Sequence, residues 1–290
     1  MVQIGDTISL RTLLRRFPGR IAVTWGLVLV ETALFALLPL LIGWSIDGLL
    51  SQDTGPFWQL CGTLGVLLMV ATGRRVFDTR AYGTMRAAFG RAQSERRGTA
   101  PVSRVNAQVL MGRELVDFLE TTVPETMTAF VQVVASVIVL AMFSTVLAGA
   151  ALGAALVMLA IYGAFARLFF RLNGRLNART ERQVAILSAA APRAVAAHFM
   201  GLRRHEVRLS DAESLIYGLI FAALLVMLTF NLWYGATQVG ASPGEIFSIV
   251  TYSMEFLQAA VMLPIALQHW TRLAEITQRI NADQTSVNKT

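Results

Sequence analysis

"FWQLCGTLGVLLMVATGRRVFDTRAYGTMRAAFGRAQSERR" (residues 57–97) contains no proline, changes from apolar to charged at Arg74, and is rich in helix formers throughout. As one continuous helix rising 1.5 Å per residue it reaches about 60 Å, twice the ~30 Å thickness of a bilayer's hydrocarbon core. The stretch therefore reads as a membrane span that continues as helix into the water phase.

Composition places the rest of the chain in the same setting. Of 290 residues, 55% are hydrophobic and only 15% are charged, whereas a soluble domain carries about 25% charge; mean hydropathy is +0.57. This is an integral membrane protein. Several apolar runs exceed the ~18 to 20 residues a spanning helix needs, and no alternating ten-residue pattern of a barrel occurs. The first run, Ile21 to Ile46, is full span length and lacks a small-residue cleavage site, so no cleaved leader is expected.

A net charge of +7 suggests an anionic partner until the basic positions are read. All 25 Lys and Arg fall between Arg11 and Arg20, Arg74 and Arg113, Arg167 and Arg208, or Arg272 and Lys289. The stretches Asp47 to Phe57, Ser144 to Gly149 and Gly235 to Glu245 hold none. This is the positive-inside pattern, and it puts both termini and two long loops in the cytoplasm. Nucleic acid is not expected as a partner, because the basic blocks lack aromatic or motif context. The single cysteine, Cys61, rules out an internal disulfide and a Cys-rich metal site.

Six spans fit: roughly 21–46, 57–73, 124–145, 147–167, 214–235 and 245–270. Trp44, Trp58 and Trp233 fall at their outer ends and Trp25 and Trp270 near inner ends, as interfacial anchors do. The predicted organisation is an N-terminal amphipathic elbow over 1–20, a six-helix membrane domain over 21–280 and a polar tail over 281–290. In the elbow, Ile8, Leu10, Leu13, Leu14 and Phe17 alternate with Arg11, Arg15 and Arg16, so it should lie along the inner leaflet. Outer connections are short; the inner ones, Arg74 to Pro124 and Leu168 to Glu213, are long and nearly free of breakers. "RRGTAP" (96–101) and Ala189 to Pro192 mark where each projecting pair turns. Val102, Val105, Val109, Leu115, Val116 and Leu119 recur at helical spacing, which predicts helix rather than disordered loop.

"LLPLLIGWSIDGLL" (37–50), "VSRVNAQVLMGRELVDFLETTVP" (102–124), "LWYGATQVGASPGEIFSIVTYS" (232–253) and "LAEITQRI" (273–280), set in this six-span layout, resemble the transmembrane domain of a type IV, exporter-type ABC transporter. The resemblance covers nearly the whole chain. It implies an all-α polytopic membrane protein with six long helices projecting into the cytoplasm, in a plasma membrane such as a bacterial inner membrane, working as a homodimer or with a related chain. In full-length members the segment matching "TQRI" leads into an ATP-binding domain, whereas ten residues follow here. A G-x-x-x-x-G-K-[ST] loop needs a lysine, and Lys289 is the only one. ATP is thus expected through a separate nucleotide-binding subunit, with no cofactor bound directly. Its expected docking elements, Arg96 to Ser103 and Arg182 to Ala191, include Arg96, Arg97, Ser103, Arg182 and Ile186. Two departures lie in that region: Asn106, Ala107 and Gln108 stand where many members carry an aspartate, and "AAAPRAVAA" (189–197) stands where a glutamate and a glycine are usual.

Polar residues inside spans are the candidates for a pathway. Glu31 and Glu255 each carry a carboxylate that costs about 2.5 to 3.5 kcal/mol at the centre of a bilayer, so each should face a cavity, a partner or the protein interior. Ser248, Thr251, Tyr252, Glu255 and Gln258 are read as one face of the sixth span, and Thr128, Gln132 and Ser136 repeat every four residues on the third. The alternative is a helix-packing hydrogen-bond network. His198, His205 and His269 are too scattered for a metal site, and no nucleophile, base and orienting group assemble from spacing, so intrinsic catalysis is not expected. Three functions compete: a transport subunit, a non-transporting assembly or regulatory protein that kept the fold without the motor, and proton-coupled transport through Glu31 and Glu255. The last leaves the long cytoplasmic helices unexplained.

The topology is tested by labelling. In a Cys61→Ser background, a cysteine placed at position 90 or 185 should be protected from an impermeant thiol reagent added to intact cells; labelling from outside refutes the inside placement.

Overall fold

The computed structural model describes residues 14–95, 102–188 and 191–262, and every regular element among them is helical. In chain order they are α1 (Pro18–Leu50), α2 (Gly55–Glu95), α3 (Val102–Asp117), α4 (Val123–Phe143), α5 (Thr145–Glu181), α6 (Gln183–Ser188), α7 (Pro192–Tyr234) and α8 (243–262). Single π turns at Phe118–Thr122 and Gly235–Val239 follow α3 and α7. Five helical stretches, Pro18–Leu50, Gly55–Arg91, Gly112–Phe143, Thr145–Ser188 and Pro192–Val239, are long and apolar enough to cross a membrane. The sixth predicted span, 245–270, is helical as far as residue 262. Most of the predicted elbow (1–13), the turn at 96–101, the polar tail and the end of the sixth span lie outside the described residues.

Helices α2 and α7, of 41 and 43 residues, reach far past one bilayer thickness, as the unbroken sequence at 57–97 requires. The helix expected from Val102 onward is present as α3. Sequence reading placed a single break near Ala189 to Pro192, but the structure adds one at Arg182, which sets off the short helix α6.

The α1–α2 turn is closed by its own backbone. The Asp53 amide donates to the Gly48 carbonyl at 2.8 Å and the Gln52 amide to the Leu49 carbonyl at 3.3 Å, the paired bonds of a Schellman motif. Its left-handed position is held by Gln52 (φ 64°) rather than glycine. Asp53 Oδ1 then accepts from the Gly55 amide at 2.9 Å and starts α2.

The described chain divides into two compact units, one running to Leu140 and resuming at Gly240, the other Ala141–Val239. In the first, Ile21, Tyr82, Met85, Leu115, Val116, Phe118, Leu119 and Val123 form a buried core, with Leu14, Phe17 and Trp25 packed against it. A proline shapes this core. The Val123 amide bonds to the Phe118 carbonyl, the longer register of a π turn. In that register the Leu119 carbonyl should receive the amide of residue 124, which is a proline and has none. The fully buried Tyr82 hydroxyl supplies the missing donor at 3.0 Å.

In the second unit, α5 and α7 pack antiparallel. Small residues on α5 (Ala148, Ala151, Ala154) and larger ones on α7 (Ile216, Ile220, Leu224) are all buried, the pairing that brings membrane helices close. Ser144 caps α5, its hydroxyl accepting from the Val146 amide at 3.3 Å.

Removing the Tyr82 hydroxyl should leave a buried carbonyl unsatisfied. Tyr82→Phe is expected to lower unfolding stability by about 2 kcal/mol, read by thermal or chemical denaturation in detergent; an unchanged midpoint would show that the Leu119 carbonyl does not depend on it.

Candidate functional site

The polar residues of the first unit gather on the seam between α1 and α8. Helix α8 opens with Ser242, Pro243, Gly244 and Glu245, a capping box in which Ser242 Oγ accepts from the Glu245 amide at 3.2 Å. In return Glu245 Oε2 accepts from the Ser242 amide at 2.9 Å. Pro243 occupies the first turn, where a missing amide costs nothing. Asp47, near the end of α1, reaches the same terminus: its Oδ2 accepts from Ser242 Oγ at 2.5 Å and its Oδ1 from the Gly244 amide at 2.9 Å. A carboxylate is stabilised there because the free amides of a helix N-terminus carry partial positive charge.

Below this clasp the two backbones touch. A Cβ on Gly43 would overlap the Ser248 hydroxyl and the Gly244 carbonyl, and one on Gly244 would overlap the Gly43 carbonyl and the Asp47 carboxylate. Further along the seam, Ser248 Oγ donates to the Pro39 carbonyl at 3.0 Å and the Tyr252 hydroxyl to the Ala36 carbonyl at 2.6 Å. Pro39 sits between these two bonds: it deprives the Phe35 carbonyl of an amide donor, while the hydroxyls from α8 reach the neighbouring Ala36 and Pro39 carbonyls on the face turned to the seam.

The face predicted on the sixth span divides into two stripes. Ser248 and Tyr252 are buried against α1. Thr251 is half-buried with its hydroxyl on the Phe247 carbonyl at 2.8 Å, and Gln258 is exposed. Glu255 shares the stripe of Thr251 and Gln258; it is half-buried, and its Oε2 is fully enclosed without a hydrogen-bond partner among the described residues. On α4, Thr128 shares a hydroxyl hydrogen bond of 3.0 Å with Thr32 of α1. Gln132 is half-buried, and Ser136 is fully buried with no partner for its hydroxyl among the described residues.

Glu31 has a protein partner. It forms an ion pair with Arg74 of α2, through Nε to Oε2 and through Nη2 to Oε1 at 3.3 Å, and Arg74 Nη1 also donates to Asp78 at 3.1 Å. Glu31 and Arg74 lie equally far from the α1–α2 turn, about 28 Å along each axis, close to the ~30 Å thickness of a hydrocarbon core. A second network joins Arg86 to Asp117 at 2.5 Å and to Glu120.

Of the residues expected to dock an ATPase, Arg96 and Arg97 lie outside the described residues and Ser103 is in the first turns of α3. Arg182 stands between α5 and α6, its amide on the Arg179 and Thr180 carbonyls. Ile186, on α6, is half-buried, while its neighbours Val184 and Leu187 are exposed. His198 is buried and His205 half-buried, both on α7; His269 lies outside the described residues.

Sequence reading missed Arg74, Asp78, Thr32 and the Asp47 clasp as partners. Two signals were available: equal distance from the turn pairs Glu31 with Arg74, and S-x-x-E at 242–245 is a helix start that attracts a carboxylate. A family model described as ABC transporter transmembrane region matches residues 10–244. No curated protein matches the chain.

The two glutamates should respond differently to neutralisation. Glu31→Gln removes one of the two carboxylates paired with Arg74 and is expected to cost about 2 kcal/mol, whereas Glu255→Gln breaks no hydrogen bond of its buried oxygen and should leave the detergent melting temperature nearly unchanged. Equal losses for both would place Glu255 in the packing.

Proposed function

We propose a transport role for this chain, which belongs to the ABC transporter transmembrane-region family: it moves a substrate across the membrane while a separate nucleotide-binding subunit hydrolyses ATP. The observation that carries the reading is the overshoot of the helices. Helices α2, α5 and α7 have 41, 37 and 43 residues, far more than a span requires. A protein that only sits in a membrane has no use for such extensions, but a lever driven by a soluble motor does. Between α5 and α7 the short helix α6 exposes Val184 and Leu187, apolar side chains suited to a docking surface.

The remaining parts follow from that reading. Both termini and the extensions are cytoplasmic, the membrane is a bacterial inner membrane, and two related membrane subunits work as a dimer. The chain contributes no catalytic site, since no lysine precedes Lys289 to complete a phosphate-binding loop. Glu255, half-buried with one oxygen lacking a protein partner among the described residues, lines the pathway with Thr251 and Gln258 and favours cationic substrates.

Purification of the tagged chain from its native membrane in mild detergent should bring with it a polypeptide that carries such a loop and hydrolyses ATP, while the chain alone hydrolyses none. Val184→Asp combined with Leu187→Asp should reduce that recovery at least severalfold. Recovery of an intact membrane protein with no ATPase would overturn the transport reading in favour of a non-transporting role.

A further inference from the structure

Arginines crowd one region of the second unit, where Glu181 and Glu206 lie in the same stretches but form no ion pair with them among the described residues. On α5, Arg167, Arg171, Arg175 and Arg179 recur every fourth residue, and on α7 Arg204 and Arg208 do the same. None of the six makes an ion pair among the described residues, in contrast with Arg74 and Arg86 of α2, which hold two carboxylates each. Arg75, Arg80 and Arg91 are also exposed but are scattered around α2.

The antiparallel register brings the two arginine rows to one level. Tyr162 of α5 faces Tyr217 of α7, and a Cβ on Gly201 of α7 would overlap the Arg179 guanidinium. Arg171 and Arg208 fall between these pairs, each about 39 Å from the outer end of its helix, with Arg167 one turn shallower and Arg175 one turn deeper. A bilayer with its headgroups is about 40 to 45 Å thick, so this row lies at the inner headgroup layer. His205 reports the crowding: loss of hydration, and then the positive charges of Arg179, Arg208 and Arg175, hold its imidazole below the ordinary value.

We propose that Arg171, Arg175 and Arg208 form a site for the phosphate of an anionic phospholipid headgroup in the inner leaflet. The chemistry matches on three counts. Clustered like charges repel, and an anion between them removes that cost. Guanidinium forks bind phosphate oxygens in pairs of parallel hydrogen bonds. The depth assigns that phosphate to lipid rather than to a soluble molecule, and basic clusters between helices at this level are where such headgroups are held.

The test uses the full chain in neutral detergent, with no ATP and no transport step, so its result is independent of the transport reading. Mixed micelles of phosphatidylglycerol should raise the melting temperature at a lipid fraction about tenfold lower than phosphatidylcholine requires. Arg175→Gln combined with Arg208→Gln should abolish that difference, while Arg75→Gln combined with Arg80→Gln should preserve it. If the glutamine variant does not fold, Arg175→Lys with Arg208→Lys keeps the charge, loses the fork, and should still weaken the response severalfold. Equal responses to the two lipids, a full response from either α5–α7 variant, or the same rise with inorganic phosphate at matched concentration would each overturn the proposal, the last by assigning a soluble anion.

Discussion

A helix carbonyl without an amide donor, in a place water does not reach, must find a donor elsewhere, and this constraint organises the first unit of the chain. At Leu119 a proline creates the need. Pro124 cannot donate to the Leu119 carbonyl in the register of the π turn, and the Tyr82 hydroxyl of α2 takes over. Around Pro39, Tyr252 and Ser248 of α8 bond to the Ala36 and Pro39 carbonyls of α1. Each of these bonds comes from a different helix, so each is a tertiary contact. That is how prolines are tolerated in membrane helices, where an unsatisfied carbonyl costs several kcal/mol.

Charge is arranged by the same logic of compensation, with different outcomes along the chain. In the first unit, Arg74 sits between Glu31 and Asp78, and Arg86 between Asp117 and Glu120, so these basic residues tie helices together. The arginines of α5 and α7 have no such partners among the described residues, which leaves their positive charge available to something outside the chain. Asp47 shows the counterpart at the α1–α2 end: a carboxylate held by the start of α8 needs no cation, because a helix amide and a capping serine satisfy it.

These arrangements belong to a multi-pass membrane protein of the ABC transporter transmembrane-region family. Contacts between its helices occupy several of the polar groups that a sequence reader would assign to a pathway. Ser248 and Tyr252 serve the α1 backbone, Thr128 bonds to Thr32, and Glu31 neutralises Arg74. Glu255 and Ser136 each keep a buried oxygen with no partner among the described residues, while Thr251 bonds within its own helix. A polar residue inside a span is therefore ambiguous by itself, since packing and pathway draw on the same side chains.

Sequence alone determined the membrane class, the helical fold and the overshoot of the helices, because these depend on quantities that add along the chain: run length, hydropathy and the absence of prolines between Phe57 and Arg97. Helical spacing likewise anticipated α3, since periodicity is a local property. The family was legible for the same reason, in continuous stretches such as residues 232–253. The break at Arg182, the division of the α8 face and the partner of Glu31 were decided only by tertiary structure. A residue's position on its own helix says which face it occupies but not which neighbour that face meets. Glu31 and Glu255 are chemically identical carboxylates in apolar helices; a guanidinium brought close by the α1–α2 hairpin commits the first, while the second has an oxygen with no donor in reach among the described residues.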